Sequence, residues 1–136
     1  MLSSIGNILI IFTIILSFLL IYYSIYFLKN DSGIIPRKIY LFSLYQITFS
    51  VISFFTLVAG FIVSDFSLIT VFQNSHTLKP LFYKISGTWG NHEGSLLLWV
   101  NVLIIFSYLF LIYGKKYNVP YRLYTLICQN ILILGF

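Results

Sequence analysis

Residues 5–28 read IGNILIIFTIILSFLLIYYSIYFL, a run of 24 residues without a charged side chain. About 20 predominantly apolar residues are enough for an α-helix to cross the hydrocarbon core of a bilayer. Lys29 and the polar residues 30–33 follow the run, as expected where a helix leaves the membrane. The sequence therefore predicts a first membrane span over residues 5–28.

The rest of the chain has the same character. Its 136 residues are 60% hydrophobic, 20% aromatic and only 8% charged, whereas soluble domains carry about 25% charged residues. We predict an all-α fold, a polytopic transmembrane helix bundle with three complete spans and the start of a fourth. The spans are placed in one membrane domain over 1–136, at about 5–28, 39–63, 95–113 and 121–136, with a loop over 64–94. No room is left for a soluble domain.

Two spans carry features of their own. The second contains Gln46, Thr48, Ser50 and Ser53, and small or hydroxylated residues at such positions more often serve close helix packing than chemistry.

The fourth span has 16 residues and would cover about 24 Å, a little less than the ~30 Å core. We expect that the chain is a piece of a longer protein, or that another chain continues the fold.

Cysteine and histidine usage limits the chemistry. Cys128 is the single cysteine, which excludes a disulfide or a CxxC site within the chain; we expect a buried free thiol. A single histidine does not define a metal site. His76 and His92 lie 16 residues apart in one loop, which is not a recognisable spacing for two metal ligands, so no metal site is predicted.

Charge predicts the orientation. The formal net charge is +5, and six of the eight basic residues flank two of the connections. These six are Lys29, Arg37, Lys38, Lys115, Lys116 and Arg122. By the positive-inside rule they face the cytoplasm or a mitochondrial matrix, so the N-terminus and loop 64–94 face the outer side. The basic residues form no aromatic-interleaved patch, and nucleic-acid binding is not predicted.

Composition also hints at origin. Fourteen Phe and 11 Tyr stand beside a single alanine, Ala59, a bias towards A/T-rich codons that indicates an organellar genome or a bacterium of low G+C content. Residues 1–7 carry no charged side chain, unlike the basic start of a signal peptide.

Loop 64–94 has 31 residues, longer than the usual connection in a compact bundle, and long connections are often functional. Alternation over residues 68–72 is compatible with an extended or an amphipathic interfacial piece. Pro80 is expected to break any helix around it. The alternative is an aromatic loop lying on the lipid headgroups.

The segment 88–99, TWGNHEGSLLLW, joins this loop to the third span. If the helix begins near Asn91 or His92, then His92, Ser95 and Trp99 lie on one face. Glu93 falls in the first turn, where a carboxylate complements the positive end of the helix dipole.

Gly90 and Gly94 in the same segment allow another helix or a planar ligand to approach the backbone closely. The alternative is that Trp89 and Trp99 belong to an interfacial aromatic belt and Glu93 to an ordinary helix start. Spacing alone leaves both interpretations open.

In order and spacing, the chain resembles the N-terminal region of the CcmF family of haem lyase subunits of cytochrome c maturation. The resemblance rests on Ile5-Gly6-Asn7, Ser64-Asp65-Phe66-Ser67, Asn74-Ser75, Pro80, Tyr83-Lys84 and the segment 88–100. It implies a part in the covalent attachment of haem to the CxxCH thiols of apocytochrome c. The working side would be the outer face of a bacterial membrane or the intermembrane-space face of the mitochondrial inner membrane, the location favoured here.

The family's tryptophan-rich haem-handling motif and its haem-binding histidines lie further along and have no counterpart in this chain. The resemblance therefore implies a part of a haem lyase complex that is not a complete catalyst, with haem held mainly elsewhere. His92 belongs to the family's motif, but it is not one of the histidines that the family uses as haem ligands. The implied partners are other fragments or subunits of the haem lyase, a haem-delivery chaperone, apocytochrome c and membrane lipid.

Our hypothesis is that residues 89–99, together with residues 65–67, form the outer wall of the haem or apocytochrome chamber and dock the remaining part of the enzyme. The candidates are Trp89, Gly90, His92, Glu93, Gly94, Ser95, Trp99 and Asp65; no catalytic residue is assigned. Two alternatives are a structural small subunit of a respiratory-chain membrane complex and a haem channel. The channel would need discontinuous helices and midplane charges, which the sequence does not contain.

Overall fold

A computed structural model describes residues 2–30 and 33–135, without the side chains of residues 2 and 3. Over these residues, six α-helices follow one another: α1 Leu2–Lys29, α2 Arg37–Val63, α3 Ile69–Asn74, α4 Leu81–Gly87, α5 His92–Tyr113 and α6 Val119–Gly135. A 3-10 turn, Gly114–Lys116, follows α5. The described part of the chain contains no strand. The predicted all-α fold is confirmed.

In the described part of the chain, three helices are long and apolar enough to cross a membrane; the spans cover Ser4–Lys29, Arg37–Val63 and His92–Lys116. They correspond to the three complete predicted spans. The shorter α6, with 17 residues, stands at the position of the predicted fourth.

Arg122 lies inside the bundle. It was counted among the basic residues that flank the connection before the fourth span, but α6 already begins at Val119 and the Arg122 side chain is buried. Pro120 is tolerated there because the first turn of a helix leaves its N–H groups without helical partners. The guanidinium donates to the Tyr40 hydroxyl at 2.8 Å and to the Leu111 carbonyl oxygen.

The four long helices form a bundle in which α1 and α5 each pack against both α2 and α6. Consequently α1 faces α5, and α2 faces α6, across the diagonals. We call the end that contains Gly6, residues 64–91 and Ile133 the loop end. The opposite end, with Lys29, residues 37–38 and the 3-10 turn, is the basic end.

An apolar core fills the basic end. Its buried members come from every long helix and from the connection between α1 and α2: Leu20, Ile35, Ile39, Leu111, Leu123 and Leu126. Aromatic side chains, among them Tyr23 and Phe27, pack around it. This cluster holds the helices together at the end where the basic residues lie.

Towards the middle of the bundle the interior becomes polar. Gln46 Nε2 donates to Ser17 Oγ at 2.7 Å and to Asn130 Oδ1 at 2.9 Å, and thus joins three helices. Ser50 and Ser53 are also buried, as the packing interpretation of these residues predicts. Thr48 differs, because its side chain is exposed and bonds only to the Leu44 carbonyl oxygen in the same helix.

Large apolar side chains cover the outside of the bundle. Phe18, Phe55 and Phe106 are 60%, 62% and 62% exposed, as expected where helices face lipid tails instead of water. Cys128 is also exposed, so the expectation of a buried thiol is wrong. The register of α6 turns Asn130 and Leu126 inwards, and position 128 consequently points outwards.

Candidate functional site

The loop end is closed by two short helices, α3 and α4, between the end of α2 and the start of α5. Pro80 does not interrupt a helix here; it is the residue immediately before α4. Ser64 ends α2 in the left-handed conformation, with φ 56°. Its hydroxyl accepts a hydrogen bond from Lys84 Nζ at 2.6 Å, which ties α4 to the end of α2.

Asp65 organises the turn that follows α2. Its Oδ1 accepts hydrogen bonds from the Ser67 hydroxyl at 2.6 Å and from the Ser67 backbone N–H at 3.1 Å. Both bonds stabilise the carboxylate and hold the pKa of Asp65 below its usual value, the hydroxyl having the larger effect. The Asp65 backbone N–H donates to the Gly60 carbonyl oxygen in α2. None of the described hydrogen bonds of Asp65 reaches residues 88–99.

Asn91 fixes the start of α5 to the end of α4. Its Oδ1 accepts from the Gly94 backbone N–H at 2.7 Å, the geometry of a helix N-cap. Its Nδ2 donates to the carbonyl oxygens of Gly87 at 2.8 Å and Thr88 at 3.1 Å. This residue is missing from the candidates predicted from sequence. The signal was present, since asparagine just before an apolar helical run is a common N-cap.

Gly94 allows the chain to close on itself. A Cβ atom at this position would collide with the backbone carbonyl of Thr88, a residue that is fully buried. At Gly90 the nearest atom to such a Cβ would be the Ser86 carbonyl oxygen at 3.2 Å, a tight but milder contact. Both glycines therefore serve an approach of backbone to backbone within residues 86–94.

The tryptophans and His92 are on the surface. Trp89 is 44% exposed, Trp99 is 62% exposed and His92 is also exposed. Ser95 is half-buried, and its hydroxyl donates to the His92 carbonyl oxygen at 3.0 Å. Within the described residues, no group of three or more His, Cys, Asp or Glu side chains is placed to hold a metal ion.

Glu93 is exposed, and it also borders two adjoining clefts between the helices. The first, of about 230 Å³, opens at the loop end and is lined by Gly6, Asn7, Ile10, Ser53, Thr56, Leu57, Leu68, Thr70, Glu93 and Leu97. The second, of about 310 Å³, continues between all four long helices and is lined by Ile10, Thr13, Ile14, Ser50, Glu93, Leu96, Leu97, Val100 and Ile133. Sequence reasoning did not predict either cleft.

No family model matches the chain, and no solved structure is significantly similar to it. Curated proteins do match. The cytochrome c-type biogenesis protein CycK of Bradyrhizobium diazoefficiens is 46% identical over 87 residues, which cover 64% of this chain and 13% of CycK. CycK of Rhizobium meliloti is 52% identical over 68 residues, covering 50% of this chain and 10% of that protein.

The cytochrome c-type biogenesis protein CcmF of Escherichia coli is 34% identical over 84 residues, 62% of this chain and 13% of CcmF. The matched part of the chain thus spans only about a tenth of the length of these relatives. Over roughly half of its sequence or more, this chain is homologous to cytochrome c-type biogenesis proteins, and it is consistent with an N-terminal portion of the CcmF type.

Proposed function

We propose that this chain is the N-terminal membrane part of a haem lyase, which helps to attach haem covalently to apocytochrome c during c-type cytochrome biogenesis. The observation that carries the proposal is the similarity to proteins named for cytochrome c biogenesis. The membrane-spanning helices agree with a membrane-bound assembly factor.

The two clefts beside α5 are not lined by a described histidine, methionine or cysteine, the side chains that commonly ligate haem iron. His92 is exposed. As the resemblance implies, we propose that haem is held mainly by other parts of the complex, and we route no chemical step through this chain.

The part that remains for this chain is positioning. A thioether bond forms only when a cysteine thiol and a haem vinyl group are held in a productive orientation, and such orientation lowers a barrier substantially. Trp89 and Trp99 offer exposed aromatic surface at the loop end. The Asn91 cap and the Gly94 contact give this surface a fixed backbone. We propose that it docks the remaining part of the haem lyase and forms one wall of the chamber.

We further propose that the bundle lies in the mitochondrial inner membrane, or in the plasma membrane if the source is bacterial. The N-terminus and residues 64–94 would face the outer side. Support comes from the basic end, where Lys29, Arg37 and Lys38 adjoin the connection between α1 and α2, because the positive-inside rule places such residues on the matrix or cytoplasmic side.

Isolation of the chain from its native membrane in mild detergent tests the proposal. We expect a companion polypeptide and a b-type haem spectrum in the purified complex. Trp99→Ala should weaken retention of the companion, whereas Phe106→Ala should not. Phe106 is a matched control because it lies on the same helix and has the same 62% exposure. A stable, haem-free homo-oligomer without a companion would contradict the proposal.

A further inference from the structure

The two clefts beside Glu93 adjoin one another, and Ile10, Glu93 and Leu97 line both of them; we call the two clefts together the opening. We propose that this opening binds a membrane lipid whose head carries a primary ammonium group. Glu93 binds the ammonium, and one acyl chain lies between α1 and α5. This inference does not depend on the proposed part in haem attachment.

The mouth of the opening selects the headgroup. Glu93 is the one charged side chain among the lining residues, and no described salt bridge or side-chain hydrogen bond engages its carboxylate. Asn7, Thr56 and Thr70 add neutral hydrogen-bonding groups around it. A primary ammonium offers three N–H donors to such acceptors, whereas a headgroup with only phosphate would be repelled by the carboxylate.

The wall of the deeper cleft contains a buried hydroxyl group, that of Ser50, without a hydrogen-bond partner. Ser50 is 2% exposed, and its hydroxyl has no hydrogen-bond partner. An unpaired buried hydroxyl is unfavourable in an apolar environment. The nearby Thr13 hydroxyl, by contrast, is already bonded to the Leu9 carbonyl oxygen at 2.9 Å. Ser50 is therefore the residue that would donate to an ester carbonyl of the lipid.

The floor of the deeper cleft suits an acyl chain. Apart from the polar groups named above, it is lined by aliphatic side chains: Ile10, Ile14, Leu96, Leu97, Val100 and Ile133. The space exists because α1 and α5 face each other across the diagonal and pack mainly against α2 and α6. Its volume of about 310 Å³ lies at the lower end of the range for small-molecule pockets, which fits one chain better than two.

Photolabelling of the full chain in phosphatidylcholine vesicles tests the proposal. Three probes share one diazirine-bearing acyl chain and differ in the head: phosphatidylethanolamine, phosphatidylcholine and phosphatidylglycerol. We expect the ethanolamine probe to label residues of α1 and α5 that line the deeper cleft, at about twofold to fivefold the level of the others, the range of a partly exposed ion pair. Equal labelling by all three probes would overturn the headgroup assignment and the proposal.

Two pairs of variants test headgroup recognition and acyl-chain binding separately. Glu93→Gln should remove the preference for ethanolamine, whereas Asp65→Asn, a second carboxylate of the loop end that does not line the clefts, should leave it unchanged. Val100→Trp should fill the deeper cleft and abolish labelling of its lining by every probe. Val102→Trp is the control, since Val102 is 42% exposed on the outside of the same helix.

Circular dichroism of each variant establishes that the helices are retained. If Val100→Trp does not fold, the Glu93→Gln comparison still decides the proposal. Unchanged ethanolamine preference in Glu93→Gln would refute it.

Discussion

Gln46 and Asn130, 84 residues apart in sequence, are joined by a hydrogen bond of 2.9 Å across the diagonal of the bundle. Both side chains are at least 98% buried. Because α2 and α6 pack mainly against α1 and α5, this pair and the Arg122 to Tyr40 bond are the described side-chain hydrogen bonds that connect the two helices directly.

The Gln46 amide should contribute measurably to stability. Gln46→Leu removes both donors and leaves Asn130 Oδ1 and the Ser17 hydroxyl without this partner. We expect a loss of about 1 kcal/mol, since hydrogen bonds between membrane helices average about 0.6 kcal/mol each. Unfolding of the purified chain in mixed micelles measures the change. Thr48→Val on the exposed side of α2 is the control, and equal losses in both variants would contradict the prediction.

Gly94 should not tolerate a side chain. In Gly94→Ala the added Cβ meets the Thr88 carbonyl, and since that atom belongs to the backbone, the segment must move. Overpacking of this kind costs about 1–3 kcal/mol. Limited proteolysis between α4 and α5 should become faster. Gly33→Ala, where a Cβ has no atom within 4 Å, serves as the control; if both variants are cleaved like the wild type, the close approach is not required.

Asn91 should hold the first turn of α5. Asn91→Ala removes the acceptor for the Gly94 N–H, and loss of an N-cap costs about 1 kcal/mol. We expect faster hydrogen exchange at the Gly94 amide. Asn91→Asp keeps the side-chain acceptor for the Gly94 N–H but loses the donors to the Gly87 and Thr88 carbonyl oxygens. Hydrogen exchange at the Gly94 amide should therefore remain slow in this variant. An unchanged exchange rate in Asn91→Ala would rule out the cap.

Asp65 should titrate below the usual range of an aspartate. Because the folded-state pKa is lowered by the Ser67 hydroxyl and backbone N–H, the carboxylate stabilises its turn above the unfolded-state pKa. This contribution disappears as the pH falls through the folded-state pKa. Carbon-13 NMR of labelled aspartate can follow the titration. Ser67→Ala should raise the pKa towards its usual value, and no rise would show that the hydroxyl is not the main cause.

Much of the architecture follows from local sequence. A long apolar run such as residues 5–28 must form a helix in a bilayer, because lipid offers no partner for backbone N–H and C=O groups. The start of α5 is local as well, since Asn91 and the apolar residues after it are adjacent in the chain. The predicted start near Asn91 or His92 matches the helix that begins at His92.

The candidate site could be predicted only in part from local sequence. Trp89, His92 and Trp99 could be placed at a helix start, but the exposure of His92 and Trp99 depends on which face of α5 turns towards α2 and α6. The α5 helix is apolar on nearly all sides, and a pattern without a polar face does not indicate its inward side. The exposure of Cys128 and the burial of Arg122 were not predicted either, because α6 begins at Val119 and its rotation is set by its packing against α1 and α5.

The sequence by itself determined that the chain forms membrane-spanning helices, approximately where they lie, and how α5 is capped, because apolar run length and N-cap chemistry act between neighbouring residues. Only the tertiary structure decided that Gln46 meets Asn130, and that Glu93 borders one cleft with Asn7 and a second cleft with Ser50. Those relationships depend on how the four long helices are arranged and rotated. In a bilayer, small polar groups and close packing between distant segments set that arrangement, because apolar surface is stable facing either lipid or protein.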